Sequence, residues 1–108
     1  MTRRRTTTKD STPPTALVTC GTTKGELAIE FYRNWAPNGY DRLVELFRRG
    51  FYDHSHFFRV VPGFLVQFGI SYTQDADLLA FADTTIEDDP QLDPRIEFRT
   101  GIVSFAGA

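Results

Sequence analysis

The sequence predicts a mainly β domain, a barrel or sandwich of short strands with one helix covering an end. Three observations carry that prediction. Glu26-Leu27-Ala28-Ile29-Glu30-Phe31-Tyr32 alternates apolar and polar residues, the period of a half-buried strand. Two apolar runs, Phe57 to Val61 and Phe64 to Gly69, are hinged on Pro62-Gly63, a pair suited to the centre of a type II turn. Among the strand-like runs, one stretch, residues 37–49, repeats its apolar positions at helical spacing.

Length and composition bound the rest. The 108 residues allow one domain at most. Ten Phe supply enough apolar volume for a core. No apolar run approaches the roughly 18 residues that a membrane-spanning helix needs. The first residues, Met1-Thr2-Arg3-Arg4-Arg5-Thr6-Thr7-Thr8-Lys9, lack the apolar centre of a secretory signal. Residues 1–15 therefore read as a disordered basic, Thr-rich tail, with the end of a transit peptide as the alternative. Cys20 is the single cysteine, so no internal disulfide forms. That fits a reducing compartment, the cytoplasm before an organelle. Cys20 ends the run Ala16-Leu17-Val18-Thr19 and reads as a half-buried strand residue before a reactive thiol.

A net charge of −2 conceals an asymmetry. Arg3, Arg4, Arg5 and Lys9 open the chain without an acid among them, whereas Asp75 to Glu97 holds eight acids against Arg95 alone. That acidity argues against a nucleic-acid role for the folded part.

Taken in order, Ala16 to Cys20 is a short strand. Gly21-Thr22-Thr23-Lys24-Gly25 is a turn with glycine at both ends, and Glu26 to Tyr32 completes a hairpin. Pro37 is tolerated in a first helical turn, where its missing N–H has no intrahelical partner. Tyr40, Leu43, Val44 and Phe47 follow on one face, widened by Leu46. Arg48 and Arg49 complement the negative end of the helix, and Gly50 stops it. Residues 71–95 read as a long acidic loop, tacked down by Leu78-Leu79-Ala80-Phe81 and Ile86. A final strand is expected over Ile102 to Ala106. Five strands and a helix do not close a barrel, so the chain reads as unfinished at its C-terminus.

The chemistry-bearing candidates are Arg59, Phe64 and Gln67. A lone arginine among Phe and Val is costly to bury unless it is paired or faces a cleft. With an amide and an aromatic nearby it suits a small site for a peptide. The matching reaction is rotation about an Xaa–Pro bond, which needs a hydrogen-bond donor and an apolar wall but no metal, nucleophile or general base. Structural readings stand beside each. Arg59 caps a barrel end through a carboxylate, Phe64 is core, and Gln67 is a satisfied polar group on a strand. Strict alternation sets Gln67 on the face opposite Phe64, so a shared site requires a bulge or strong twist. His54-Ser55-His56 is a weak metal signal and reads as loop. Glu87-Asp88-Asp89 lacks the Asp-x-Asp-x-Asp-Gly pattern of a calcium loop and reads as a solvated acidic segment.

From Leu17 to Ala108 the chain resembles the cyclophilin family of peptidyl-prolyl isomerases. The resemblance rests on several pieces in order. They are Thr23-Lys24-Gly25-Glu26-Leu27 and its strand, Ala36-Pro37 and its helix, and Gly50-Phe51-Tyr52-Asp53. The segment Phe57 to Gly69 and Gly101-Ile102-Val103-Ser104-Phe105-Ala106 complete it. It implies an antiparallel eight-stranded barrel capped by helices, of which this chain supplies the N-terminal strands and one helix. It also implies that Arg59 matches the catalytic arginine, Phe64 and Leu65 the proline pocket, Gln67 the substrate-binding glutamine, and Ala106 a backbone-binding position. Phe58 stands where the common pattern has His, Phe68 where it has Gly, and Ile70 where it has Asp. These departures resemble a divergent branch of algae and bacteria. The rest of the family's pocket is expected beyond Ala108.

The expected function is peptidyl-prolyl cis–trans isomerisation on proline-containing peptides or proteins, without cofactor. The alternatives are a non-catalytic proline-peptide binding module and an inactive truncated remnant.

Overall fold

The computed structural model describes residues 2–8 and 14–106, with side chains described from Pro14 onward. Its elements are β1 (Thr2–Thr8), β2 (Thr15–Thr22), β3 (Gly25–Tyr32), a 3-10 turn (Arg33–Trp35), α1 (Pro37–Arg48), β4 (Arg59–Val61), β5 (Leu65–Gln67) and α2 (Ala76–Asp83). They make two antiparallel sheets, β1-β2-β3 and β4-β5.

The β2–β3 hairpin follows its alternation. Thr22 pairs with Gly25 across the two-residue turn Thr23-Lys24. The Thr22 hydroxyl closes the turn by donating to the Gly25 carbonyl at 2.6 Å and accepting from the Lys24 N–H at 3.1 Å. Ala16, Val18 and Cys20 point inward from β2, and Ile29 is buried between half-buried Leu27 and Phe31 on β3. Cys20 is fully buried, and that burial pushes its thiol up, as an inert core residue requires.

Helix α1 lays Tyr40, Val44, Leu46 and Phe47 against this sheet. Its C-terminus is a Schellman motif. The Gly50 N–H donates to the Phe47 carbonyl at 3.2 Å and the Phe51 N–H to the Leu46 carbonyl at 3.0 Å. Gly50 sits at φ +78°, the left-handed conformation that this stop requires. The main core gathers Val18, Cys20, Ile29, Leu46, Phe47, Tyr52 and Leu78, and a second cluster joins Ala16, Tyr40 and Val44 through Phe31.

Three expectations are corrected. Thr2–Thr8, read as part of a disordered tail, forms a strand antiparallel to β2, with an irregularity between Arg3 and Arg5. Residues 1 and 9–13 of that tail lie outside the described residues. The segment read as one long acidic loop contains α2. Asp75 caps this helix, accepting from the N–H groups of Asp77 at 3.0 Å and Leu78 at 3.1 Å. Residues 102–106, read as a strand, have no strand pairing. Apolar content alone does not make a strand without a neighbour to complete its hydrogen bonds.

The acidic segment after α2 is also not simply solvated. Helix α1 has no side-chain cap at Ala36. Asp89, 51 residues from Asn38, supplies one: its carboxylate accepts from the Asn38 N–H at 2.7 Å and the Gly39 N–H at 2.8 Å. The Asn38 side-chain amide donates to the Glu87 carbonyl at 3.3 Å. Arg42 donates to the Thr84 carbonyl at 2.6 Å and hydroxyl at 2.8 Å. Arg42 and Arg49 both lie over the Phe81 ring, at 4.7 and 5.2 Å from its centre. Residues 81–89 are thus clasped along α1.

Tyr52 is 8% exposed, and burial pushes its hydroxyl up to about 12, with Arg42 pulling weakly the other way. An unfolded tyrosine ionises near 10. Between those values the unfolded chain has lost this proton and the folded chain has kept it. Tyr52 therefore contributes stability that is complete below about pH 10 and lost as pH rises toward about 12. Urea melts between about pH 9 and pH 11 should show stability falling, and Tyr52→Phe should reduce that fall. Identical slopes for the two proteins would exclude Tyr52 as the cause.

Candidate functional site

The hairpin β4–β5 carries four of the five residues singled out from sequence. Its turn is Val61-Pro62-Gly63-Phe64, closed by the Phe64 N–H donating to the Val61 carbonyl at 3.0 Å. Gly63 lies at φ +74° after a proline whose φ is fixed negative, which makes the turn type II, as expected.

Register then decides which side chains meet. Arg59 pairs with Gln67, Val60 with Val66, and Val61 with Leu65. Side chains of paired residues share a face and successive residues alternate. Arg59, Leu65 and Gln67 therefore lie on one face, with Val61, and Val60 and Val66 lie on the other. The Arg59 Nη1 donates to the Gln67 Oε1 at 3.3 Å. No carboxylate pairs with Arg59 among the described residues, so the reading of Arg59 as a carboxylate-bound cap does not apply here. No contact joins the Phe64 ring to Gln67 among the described residues. Phe64 belongs to the turn, not the strand, so alternation does not govern it. Its ring stands 76% exposed at the hairpin tip, which also removes the reading of Phe64 as core.

The hairpin is tied to the core by stacked aromatic rings. Phe47 meets Tyr52 at 4.6 Å, Tyr52 meets Phe68 edge-on at 5.6 Å, and Phe68 meets Phe57 edge-on at 5.7 Å. Phe68, which departs from the commoner glycine, is the link that joins Phe57 to Tyr52. The sequence showed the departure but not this role; a fourth phenylalanine after Phe57, Phe58 and Phe64 was its only signal.

The fifth residue, Ala106, is exposed on the irregular segment 102–106, and among the described residues no hydrogen bond joins it to the hairpin. A cavity of about 550 Å³ lies elsewhere, lined by Asn38, Asp41, Arg42, Glu45, Phe81, Ile86 and Glu87 between α1 and the segment clasped to it. Of the two histidines, His54 lies in the turn after α1 and His56 in the irregular stretch that follows. His54 adopts φ +64° and the His56 ring packs on Tyr72 at 5.3 Å, while buried Ser55 donates to the Tyr52 carbonyl at 2.7 Å. Among the described residues no group of three His, Cys, Asp or Glu is placed to hold a metal ion. No helix among them is long and apolar enough to cross a membrane.

A family profile described as cyclophilin type peptidyl-prolyl cis-trans isomerase matches residues 17–108. The chain belongs to the cyclophilin family. Peptidyl-prolyl cis-trans isomerase-like 1 of Gibberella zeae is 34% identical over 88 residues, which are 81% of this chain and 53% of that protein. Peptidyl-prolyl isomerase CWC27 of Yarrowia lipolytica is 33% identical over 92 residues, 85% of this chain and 24% of that protein. A peptidyl-prolyl cis-trans isomerase of Synechococcus elongatus is 46% identical over 48 residues, 44% of this chain and 33% of that protein. The chain thus spans about half or less of these relatives' lengths. No solved structure gives a significant match. Within this cyclophilin match, the segment Phe57 to Gly69 carries a β-hairpin with Arg59 and Gln67 joined across it.

Proposed function

We propose that this chain contributes the Arg59 side of a peptidyl-prolyl isomerase site that acts on proline-containing peptides or proteins. The observation that carries the reading is the cross-strand pair Arg59–Gln67 on one face of the hairpin, in a chain of this family. We also propose that its two sheets and two helices are the N-terminal part of an eight-stranded antiparallel barrel.

A peptide bond is planar because the nitrogen lone pair is delocalised into the carbonyl, and rotation faces a barrier of about 18–20 kcal/mol. Twisting an Xaa–Pro bond makes the prolyl nitrogen pyramidal and basic. A guanidinium that donates toward this nitrogen or the prolyl carbonyl localises the lone pair. It then stabilises the twisted state more than the planar one. In this reading Arg59 is the donor. Gln67 orients Arg59 through its amide oxygen and leaves its NH₂ free to hold peptide backbone. Phe64 and Leu65 present apolar surface to the pyrrolidine ring, and Ala106 offers a backbone contact. No proton is abstracted and no covalent intermediate forms.

A second reading is a proline-peptide binding module without turnover. It is favoured by the openness of the hairpin, where Val60, Phe64 and Val66 are all more than half exposed. An open site leaves the guanidinium in water, where its field is weakest. Exchange spectroscopy on a short Xaa-Pro peptide separates the two. Added protein should broaden and exchange the cis and trans signals, which in its absence interconvert in tens to hundreds of seconds. Peptide line-broadening without cis–trans exchange would favour the binding module. Neither effect would overturn both.

A further inference from the structure

We propose that Asp89 is a positioning residue for the segment that carries Ala106, acting through the N-terminus of α1 and Gly39. The inference rests on the reading of Ala106 as a backbone contact for the peptide.

Three segments meet at one point. Asp89 bridges the N–H groups of Asn38 and Gly39 at 2.7 and 2.8 Å, which fixes residues 84–89 on the end of α1 together with the Asn38–Glu87 and Arg42–Thr84 hydrogen bonds. Gly39 is buried at this point. A Cβ on it would lie 2.8 Å from the Phe105 Cε2 and 3.4 Å from the Asp89 Oδ2. Glycine is a poor choice inside a helix, and the close approach of Phe105 and Asp89 is the reason for one here. Phe105 precedes Ala106 directly. Residues 102–106 have no strand pairing, so no ladder holds them. The contact of Phe105 with Gly39, beside the Asp89 carboxylate, is what sets their place.

Two substitutions act on this point in opposite ways. Asp89→Asn keeps the shape but weakens the bidentate acceptor. Gly39→Ala strengthens the helix while its Cβ displaces the Phe105 ring edge, an exposed side chain that is able to move. A merely structural role predicts opposite effects of the two on stability and no effect of Gly39→Ala on the site. A positioning role predicts that both raise KM for an Xaa-Pro peptide by about threefold or more, with kcat within about twofold. Amide signals of Phe105 and Ala106 should shift in both variants, while those of Arg59 and Gln67 stay in place. Unmoved Ala106 signals in folded Gly39→Ala would overturn the inference, and so would KM unchanged in both. If the parent chain neither turns over nor binds the peptide, the proposed function fails instead. The Ala106 shifts then still decide whether Asp89 and Gly39 hold the segment.

Discussion

Phe47→Ala is expected to destabilise the protein by about 3–5 kcal/mol, the range for removing a large aromatic from a packed core. Phe47 is only 1% exposed, so little water is near to relieve the cavity. Its ring is the junction of the core. It meets Phe31 at 6.1 Å, which joins the second cluster around Tyr40 and Val44, and Tyr52 at 4.6 Å. Tyr52 then carries Phe68 and, through it, the hairpin β4–β5. The loss is a large part of a total that is only about 5–15 kcal/mol for a domain. Denaturant titration with a near-ultraviolet signal from the aromatic cluster should show the midpoint fall. Hydrogen exchange should find the amides of Phe58 and Phe64, bonded to the Gln67 and Val61 carbonyls, less protected as well. A loss under about 1 kcal/mol would mean that the surroundings collapse into the vacancy, and that Phe47 is not the junction described.

The parts of this fold that were legible in the sequence are those written in local period. Alternation over Glu26 to Tyr32 and helical spacing over Pro37 to Phe47 each bury one face, and the structure keeps both. Pro62-Gly63 dictates its turn because the φ angles of those two residue types leave little else. The elements that were missed depend on partners far along the chain. Thr2–Thr8 has no apolar period and forms a strand through backbone pairing with β2, which Thr favours but sequence pattern does not announce. α2 is short and opens among acids, and its cap at Asp75 was read as part of their charge. Ile102 to Ala106 has a strand's composition without a strand's neighbour. Of the hairpin, the Pro62-Gly63 turn and its two flanking runs were legible, and the face shared by Arg59, Leu65 and Gln67 became readable only with the register. Asp89 was invisible in principle, since its contacts lie about fifty residues away.

In a version of this domain extended to full length, Arg59→Ala should lower kcat/KM for an Xaa-Pro peptide by at least about tenfold, or about 1.4 kcal/mol of transition-state stabilisation. Two features set the size of the effect. Arg59 is on an exposed face, so its field acts through water and the gain is modest beside that of a buried oxyanion hole. Against this, its charge is permanent, and the hydrogen bond to the Gln67 Oε1 at 3.3 Å restricts where the guanidinium points, so less ordering is needed when the peptide twists. Gln67→Ala should therefore cost less than Arg59→Ala, because it removes the guide and leaves the charge. Arg59→Lys should recover only part of the loss. An ammonium keeps the charge but not the planar fork with several fixed donors, one of which contacts Gln67. Because Arg59 is exposed, its removal should leave circular dichroism and melting temperature nearly unchanged. The ranking Arg59→Ala, then Arg59→Lys, then Gln67→Ala, each in a folded protein, is the signature of an electrostatic donor oriented by a neighbour. Equal exchange rates in the extended protein and in its Arg59→Ala variant, measured on the same peptide, would show that the arginine does not stabilise the twisted bond.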